Sequence, residues 1–217
     1  MRIKQLILVL IAFLFRENVY CQFNLPEFED SVAIIHNKDG YDYYTIIYKG
    51  KGKKMKDEKD GIWKYYDEKN NIRIEGNYYQ NKKDGIWKIY FANGKLQTLG
   101  KYNNDKPDSI WISYFKNGKT NWTGLYKDSL MQQKWSFYYS NDSLAGTGYF
   151  INGNGTSIDE IGIPENGRDG KWTQYYSNGN IRSENYWKKN HLFGKSYKYY
   201  ESGTTESIDN YSNDGKR

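Results

Sequence analysis

The chain has 217 residues, with 32 Lys and Arg against 26 Asp and Glu, a formal charge of +6 and a pI near 9.0. Hydrophobic residues make up only 37% and mean hydropathy is −0.96, values typical of unfolded chains, yet seven Trp, 23 Tyr and nine Phe supply the rings that such chains lack. Three Pro, 21 Gly and one Cys exclude collagen, a proline-rich linker and a disulfide scaffold, and two His with one Cys leave little for metal or nucleophile chemistry.

Residues 1–21 read as an export leader. Arg2 and Lys4 precede ten apolar residues, Leu6 to Phe15, enough for a secretory core and short of the roughly 20 that cross a bilayer. Cleavage is expected between Cys21 and Gln22; Tyr20 is too large for the position before a lipidated Cys. The remaining 196 residues carry 29 basic and 25 acidic side chains, hold no Cys and contain no transmembrane span. A charge of +4 is too mild to mark a nucleic-acid binder. Residues 22–58 form an N-terminal segment with a capping strand at Thr45–Lys54. The six lysines between Lys49 and Lys59 are read as protection of an open sheet edge in preference to a polyanion site.

Residues 59–217 follow a 24-residue period. Trp63, Trp87, Trp111 and Trp135 are evenly spaced; Trp172 follows after one period plus a 13-residue insertion, and Ser196 takes the Trp place in a sixth unit. Counting from the Trp, Tyr stands at +3 in every unit: Tyr66, Tyr90, Tyr114, Tyr138, Tyr175 and Tyr199. Glycine recurs at −2 and +13, and an aromatic always occupies +15.

Each unit reads as a β-hairpin. Asn93-Gly94, Asn117-Gly118 and Asn178-Gly179 at +6/+7 predict two-residue type I′ turns, so that offsets summing to 13 face one another. Trp63–Gly76, Trp87–Gly100, Trp111–Gly124 and Trp135–Gly148 then become cross-strand pairs, with glycines left bare for rings to cover. Alternation places −2, 0, +4 and the odd offsets from +9 to +15 on a buried face, and the +3 Tyr row on the other. Six-residue polar loops, such as Tyr79–Asp84 and Asn103–Asp108, join the hairpins, and no helical period is sustained.

The insertion, near residues 152–168, carries Asp159, Glu160, Glu165 and Arg168, and its turn signals predict an extra edge hairpin. Asp60, Asp84, Asp108 and Asp169 recur at −3, which marks turn chemistry; a catalytic site needs one asymmetric constellation. His36 and His191 have no Cys partner, and no Ser-His-Asp or HExxH pattern is visible. No catalytic residue, metal ligand set or cofactor is therefore expected, and the chain is not expected to be an enzyme.

Asp60–Tyr66 (DGIWKYY), Asp84–Lys95 (DGIWKIYFANGK), Asp108–Gly118 and Asp169–Gly179 resemble the bacterial variant of the MORN repeat. The resemblance implies an all-β fold, an elongated single-layer antiparallel β-meander of tandem hairpins. Many members of that variant are labelled antitoxins; other MORN proteins are scaffolds or lipid-associated modules. Unit four departs, with Gln132-Gln133-Lys134 where Asp-Gly-x is usual. Together with the leader, these features favour an exported, non-enzymatic scaffold that binds another protein at the cell envelope. The six +3 tyrosines are its candidate binding residues, and carbohydrate stacking on their rings is the alternative.

Overall fold

The computed structural model describes the backbone of residues 27–28, 31–38, 42–55, 57–212 and 215–216, with side chains from residue 49 onward. The expected leader, residues 1–21, lies outside the described residues. Three strands lead in, β1 (Glu27–Phe28), β2 (Ser31–Lys38) and β3 (Asp42–Met55). Hairpins follow: β4 (Glu58–Tyr66) with β5 (Ile72–Tyr79), β6 (Lys82–Tyr90) with β7 (Leu96–Asn103), and β8 (Lys106–Tyr114) with β9 (Thr120–Lys127). Next come β10 (Leu130–Tyr138) with β11 (Leu144–Gly153), and β12 (Arg168–Tyr175) with β13 (Ile181–Lys188). The short β14 (His191–Leu192) pairs with β13, and β15 (Gly194–Tyr199) with β16 (Thr205–Tyr211) makes the sixth unit. All belong to one antiparallel sheet whose spatial order follows the chain, and the described residues contain no helix. β3 is not the first strand of the sheet, since β2 pairs with it from Asp42 to Lys49, but β2 stops short of its lysine-rich end, and Lys51–Met55 runs beside β4 alone among the described residues.

The predicted Trp–Gly register holds, but another turn produces it. Trp63 faces Gly76, Trp87 faces Gly100, Trp111 faces Gly124 and Trp135 faces Gly148. At the Asn-Gly end only the glycine has positive φ, 79° at Gly94 and 91° at Gly118. Gly94 N donates to Phe91 O at 2.9 Å and Phe91 N to Lys95 O at 2.9 Å, which defines a three-residue loop with its last residue left-handed. That loop puts Tyr90 opposite Leu96, and a bulge at Gln97 then restores the expected register at Ile89–Thr98. The same bulge recurs at +10 in all six units.

The turn asparagine acts through its amide. Asn117 Oδ1 accepts from Lys119 N at 3.0 Å, while Asn117 Nδ2 donates to Ser140 O of the next unit at 2.8 Å. Asn141 repeats the arrangement with Ser143 N and Ser177 O. The type I′ geometry belongs to the opposite end. Gln80-Asn81, Asn104-Asp105 and Asp128-Ser129 each have two successive positive φ angles. These pairs replace the expected six-residue loops: the strands run to Tyr79 and resume at Lys82, and run to Asn103 and resume at Lys106. The −3 aspartates accordingly lie within strands and not in turns.

The core is a ladder of rings on one face. Each indole reaches back onto the preceding unit: a Cβ on Gly76 would lie 2.1 Å from the Trp87 ring, one on Gly100 2.0 Å from Trp111, and one on Gly124 1.9 Å from Trp135. Gly52 and Gly148 are covered likewise by Trp63 and Trp172. The indole N–H then donates to the carbonyl after that glycine, from Trp63 to Lys53 at 2.9 Å, Trp87 to Asn77 at 3.0 Å and Trp111 to Lys101 at 3.1 Å. The +15 rings fill the gaps edge-on, with Tyr78 5.1 Å from Trp87 at 79° and Tyr102 5.1 Å from Trp111 at 83°. Such contacts contribute about 0.5–1.5 kcal/mol each beyond area burial. At −4, Lys59 and Lys83 place their ammonium groups 4.7 Å and 5.4 Å from the Trp63 and Trp87 rings.

Two sequence expectations change here. The +10 bulge reverses alternation, so Ile72, Leu96, Leu144 and Ile181 at +9 face the +3 tyrosines and not the Trp ladder. The −2 glycines serve the backbone: Gly61 has φ 79° and a Cβ there would meet nothing within 4 Å, and Ser109 and Gln133 hold a similar positive φ with a Cβ in place. Gly100→Val is therefore expected to cost about 1–3 kcal/mol by crowding Trp111, not Trp87. Gly61→Ala is expected to cost about 1–2 kcal/mol through backbone strain alone. Chemical denaturation midpoints check both, and removal of Trp111 should relieve only the first.

Candidate binding face

With the ladder on one side, nothing among the described residues covers the other side of the sheet. All six +3 tyrosines are partly exposed, and alternation sets Tyr66, Tyr90, Tyr114, Tyr138, Tyr175 and Tyr199 one per unit along this open face. Adjacent strands lie about 4.8 Å apart, so the rings recur at roughly 9.6 Å. Each faces a +9 residue: aliphatic Ile72, Leu96, Leu144 and Ile181, and Thr120 and Thr205. Tyr90 borders a shallow groove lined by Asn70, Asn71, Ile72 and the Ala92–Gly94 turn. Burial, with Glu75 nearby, raises the Tyr90 phenol above its ordinary value, so the ring is neutral at physiological pH.

Sequence reasoning missed the row beside it. Ile62, Ile86 and Ile110 at −1 are 61%, 61% and 63% exposed and share the face of the tyrosines. Their odd offset was the available signal. In units four to six the same position is Lys134, Lys171 and Lys195, so the face passes from aliphatic to basic along the array. Two facing carboxylates are paired, Glu75 with Lys64 at 3.9 Å and Glu184 with Lys171; that bond raises the Lys171 ammonium pKa.

The +4 tyrosines do different work. Tyr139 OH donates to Tyr175 O at 2.8 Å and Tyr176 OH to Tyr199 O at 2.7 Å, tying neighbouring units at the turn end. Burial raises the Tyr139 pKa.

The insertion is a structural plug. It lies between β11 and β12 in the middle of the sheet, so the expected extra hairpin is reduced to a single Ile158–Pro164 bridge, and it is not at an edge. Its tip folds onto the ladder face, where Ile163 is fully buried over Gly146. Arg168, 2% exposed, pairs with Asp159, donates to Pro164 O at 2.8 Å and Ile163 O at 3.0 Å, and lies 4.5 Å over the Trp172 ring. Asp159 also accepts from Ile161 N at 3.0 Å and Ile163 N at 2.9 Å. Glu160 pairs with Arg182, and burial raises the Glu165 pKa against the pull of Arg168. Among the described residues, no group of three His, Cys, Asp or Glu side chains could hold a metal ion. His191 is exposed at the start of β14, and His36 lies in β2.

Asp159→Asn strands the buried Arg168 guanidinium and is expected to cost about 3–5 kcal/mol, read from equilibrium unfolding. Tyr114→Ala with Tyr138→Ala is expected to leave most of the unfolding midpoint in place, whereas Trp135→Ala should lose about 3–5 kcal/mol. Full loss of folding in the double Tyr variant would make that row core.

The MORN repeat variant family matches residues 59–81, 83–104 and 168–189, which are units one, two and five. No curated protein matches. Among solved structures, a mutant of S. aureus TarM in complex with Fondaparinux, alpha-GlcNAc-glycerol and UDP aligns with 11% identity and a TM-score of 0.31, over 60% of this chain and 21% of that one. At that score the likeness carries no argument. The family matches fall on the hairpins β4–β5, β6–β7 and β12–β13, so these three of the six units are MORN repeats of the variant type.

Proposed function

We propose that this protein is an exported, non-enzymatic scaffold that binds another protein at the cell envelope through its open tyrosine face. The reading rests on one observation above others: all six +3 tyrosines are partly exposed on the face that the ladder leaves uncovered. Packing alone accepts any β-former at +3, while Tyr combines apolar area with a polar tip suited to interfaces. The exposed isoleucines beside the row add apolar area in units one to three. The Trp, Gly and turn residues are accounted for by folding, as are Asp159 and Arg168 of the insertion.

An affinity pull-down from envelope extract tests the reading, with soluble sugars as competitors. Tyr114→Ala with Tyr138→Ala is expected to weaken capture while folding is retained. Capture abolished by sugars would replace the protein partner with a carbohydrate, and capture unchanged by the substitutions would move the site off this face. Export has its own test: intact mass is expected to show a mature protein beginning at Gln22, with or without cyclisation of that residue. A diacylated Cys21 at the N-terminus, or a retained leader, would contradict it.

A further inference from the structure

The last described strand, β16, pairs with β15 on one side and, among the described residues, with nothing on the other. Every one of its residues is at least partly exposed. An open strand edge is normally guarded by charged side chains, Lys above all, by Pro, by a bulge or by a covering segment, and β16 carries two such charges, Glu206 at its bulge and Asp209. Thr205–Tyr211 contains neither Lys nor Pro, and Ile208 on it is 58% exposed. Beyond it, a Cβ on Gly215 would lie 3.1 Å from His191 Cβ.

What can pair there is restricted by the ladder. An added Trp hairpin needs a bare glycine at +13, because in units one to four a Cβ there would lie 1.9–2.2 Å from the next ring. Unit five already replaces the contact by Asn185 bonded to Ser196 Oγ, and unit six carries Asp209. Another Trp unit therefore cannot stack on β16. A strand free of Trp can, and β16 itself is one.

We propose that β16 is a self-association edge, pairing antiparallel with β16 of a second copy about a two-fold axis through Ile208. Both faces of the sheet continue across the axis only in registers that match like faces, which centre on Ser207, Ile208 or Asp209. Centring on Asp209 sets two carboxylates opposite one another, which destabilises the pair. Centring on Ser207 shortens the overlap and runs into the bulge at Glu206. Centring on Ile208 places the two exposed isoleucines together on the tyrosine face. On the ladder face it sets each Ser207 hydroxyl against the Asp209 carboxylate of the second copy. The contact is one strand wide, far below a standard interface of about 1,600 Å², so the association is weak and concentration-dependent.

Sedimentation of the full chain over a concentration series tests this, alongside Ile208→Lys and, in a Cys21→Ser background, Ile208→Cys with Tyr79→Cys as the exposed control. The wild type is expected to shift from monomer to dimer, Ile208→Lys to weaken association about tenfold or more, and only the position-208 thiol to form an intermolecular disulfide rapidly. A wild type that stays monomeric at the highest concentration overturns the proposal. So does association unchanged by Ile208→Lys, or cross-linking at 208 no faster than at 79. Matching unfolding midpoints for the variants show that neither acts by unfolding the sixth unit.

Discussion

The fold depends on an indole lying across a glycine. In an ordinary β-protein a sheet face is closed by a second layer, but the described residues form one sheet, which buries its rings within itself. Trp87, Trp111, Trp135 and Trp172 do so by covering the +13 glycine of the unit before them and donating their N–H to the next carbonyl. The glycine is required because any Cβ would occupy the plane of the ring. The +15 aromatic enters edge-on between successive indoles, and the ladder runs unbroken from Trp63 to Trp172. A hairpin alone has nothing to cover its glycine, so stability comes from the neighbour contacts.

Much of this is legible in the sequence, because the 24-residue period and the offsets of Trp, Gly and Tyr are geometric statements about a hairpin. The facing of Trp87 and Gly100 follows from the spacing, though through the wrong turn. A three-residue loop and a compensating bulge at Gln97 give the same register as one two-residue turn, and the sequence near Asn93-Gly94 does not separate them. The bulge does change the side on which Leu96 points. The direction of the indole is also hidden: Trp87 has a glycine partner on each side, Gly76 in β5 and Gly100 in β7, and only the packed sheet shows that it covers Gly76. The buried Arg168–Asp159 pair is out of reach because it is formed by an irregular segment folding onto a face, which no period encodes.

The same ladder divides the molecule into surfaces with different duties. Its ring face is closed by its own side chains and by the plug around Ile163, leaving little apolar area for a partner there. The opposite face inherits whatever each unit can display once the register is secured, and it displays Tyr at every repeat with isoleucine giving way to lysine along the array. That face is a regular row of amphipathic rings whose neighbours change from aliphatic to basic from one end to the other. Loss of Gly and Trp in the sixth unit ends the ladder, and among the described residues β16 is paired on one side only.

A double-mutant cycle tests the ladder most directly. Gly124→Ala is combined in turn with Trp135→Leu, the ring that covers Gly124, and with Trp111→Leu, its cross-strand facing partner. A coupling of about 1–3 kcal/mol with Trp135 is expected, since the cost of the added methyl disappears when that ring is gone, with near-additivity for Trp111. Additive behaviour with Trp135, or stronger coupling with Trp111, would contradict it.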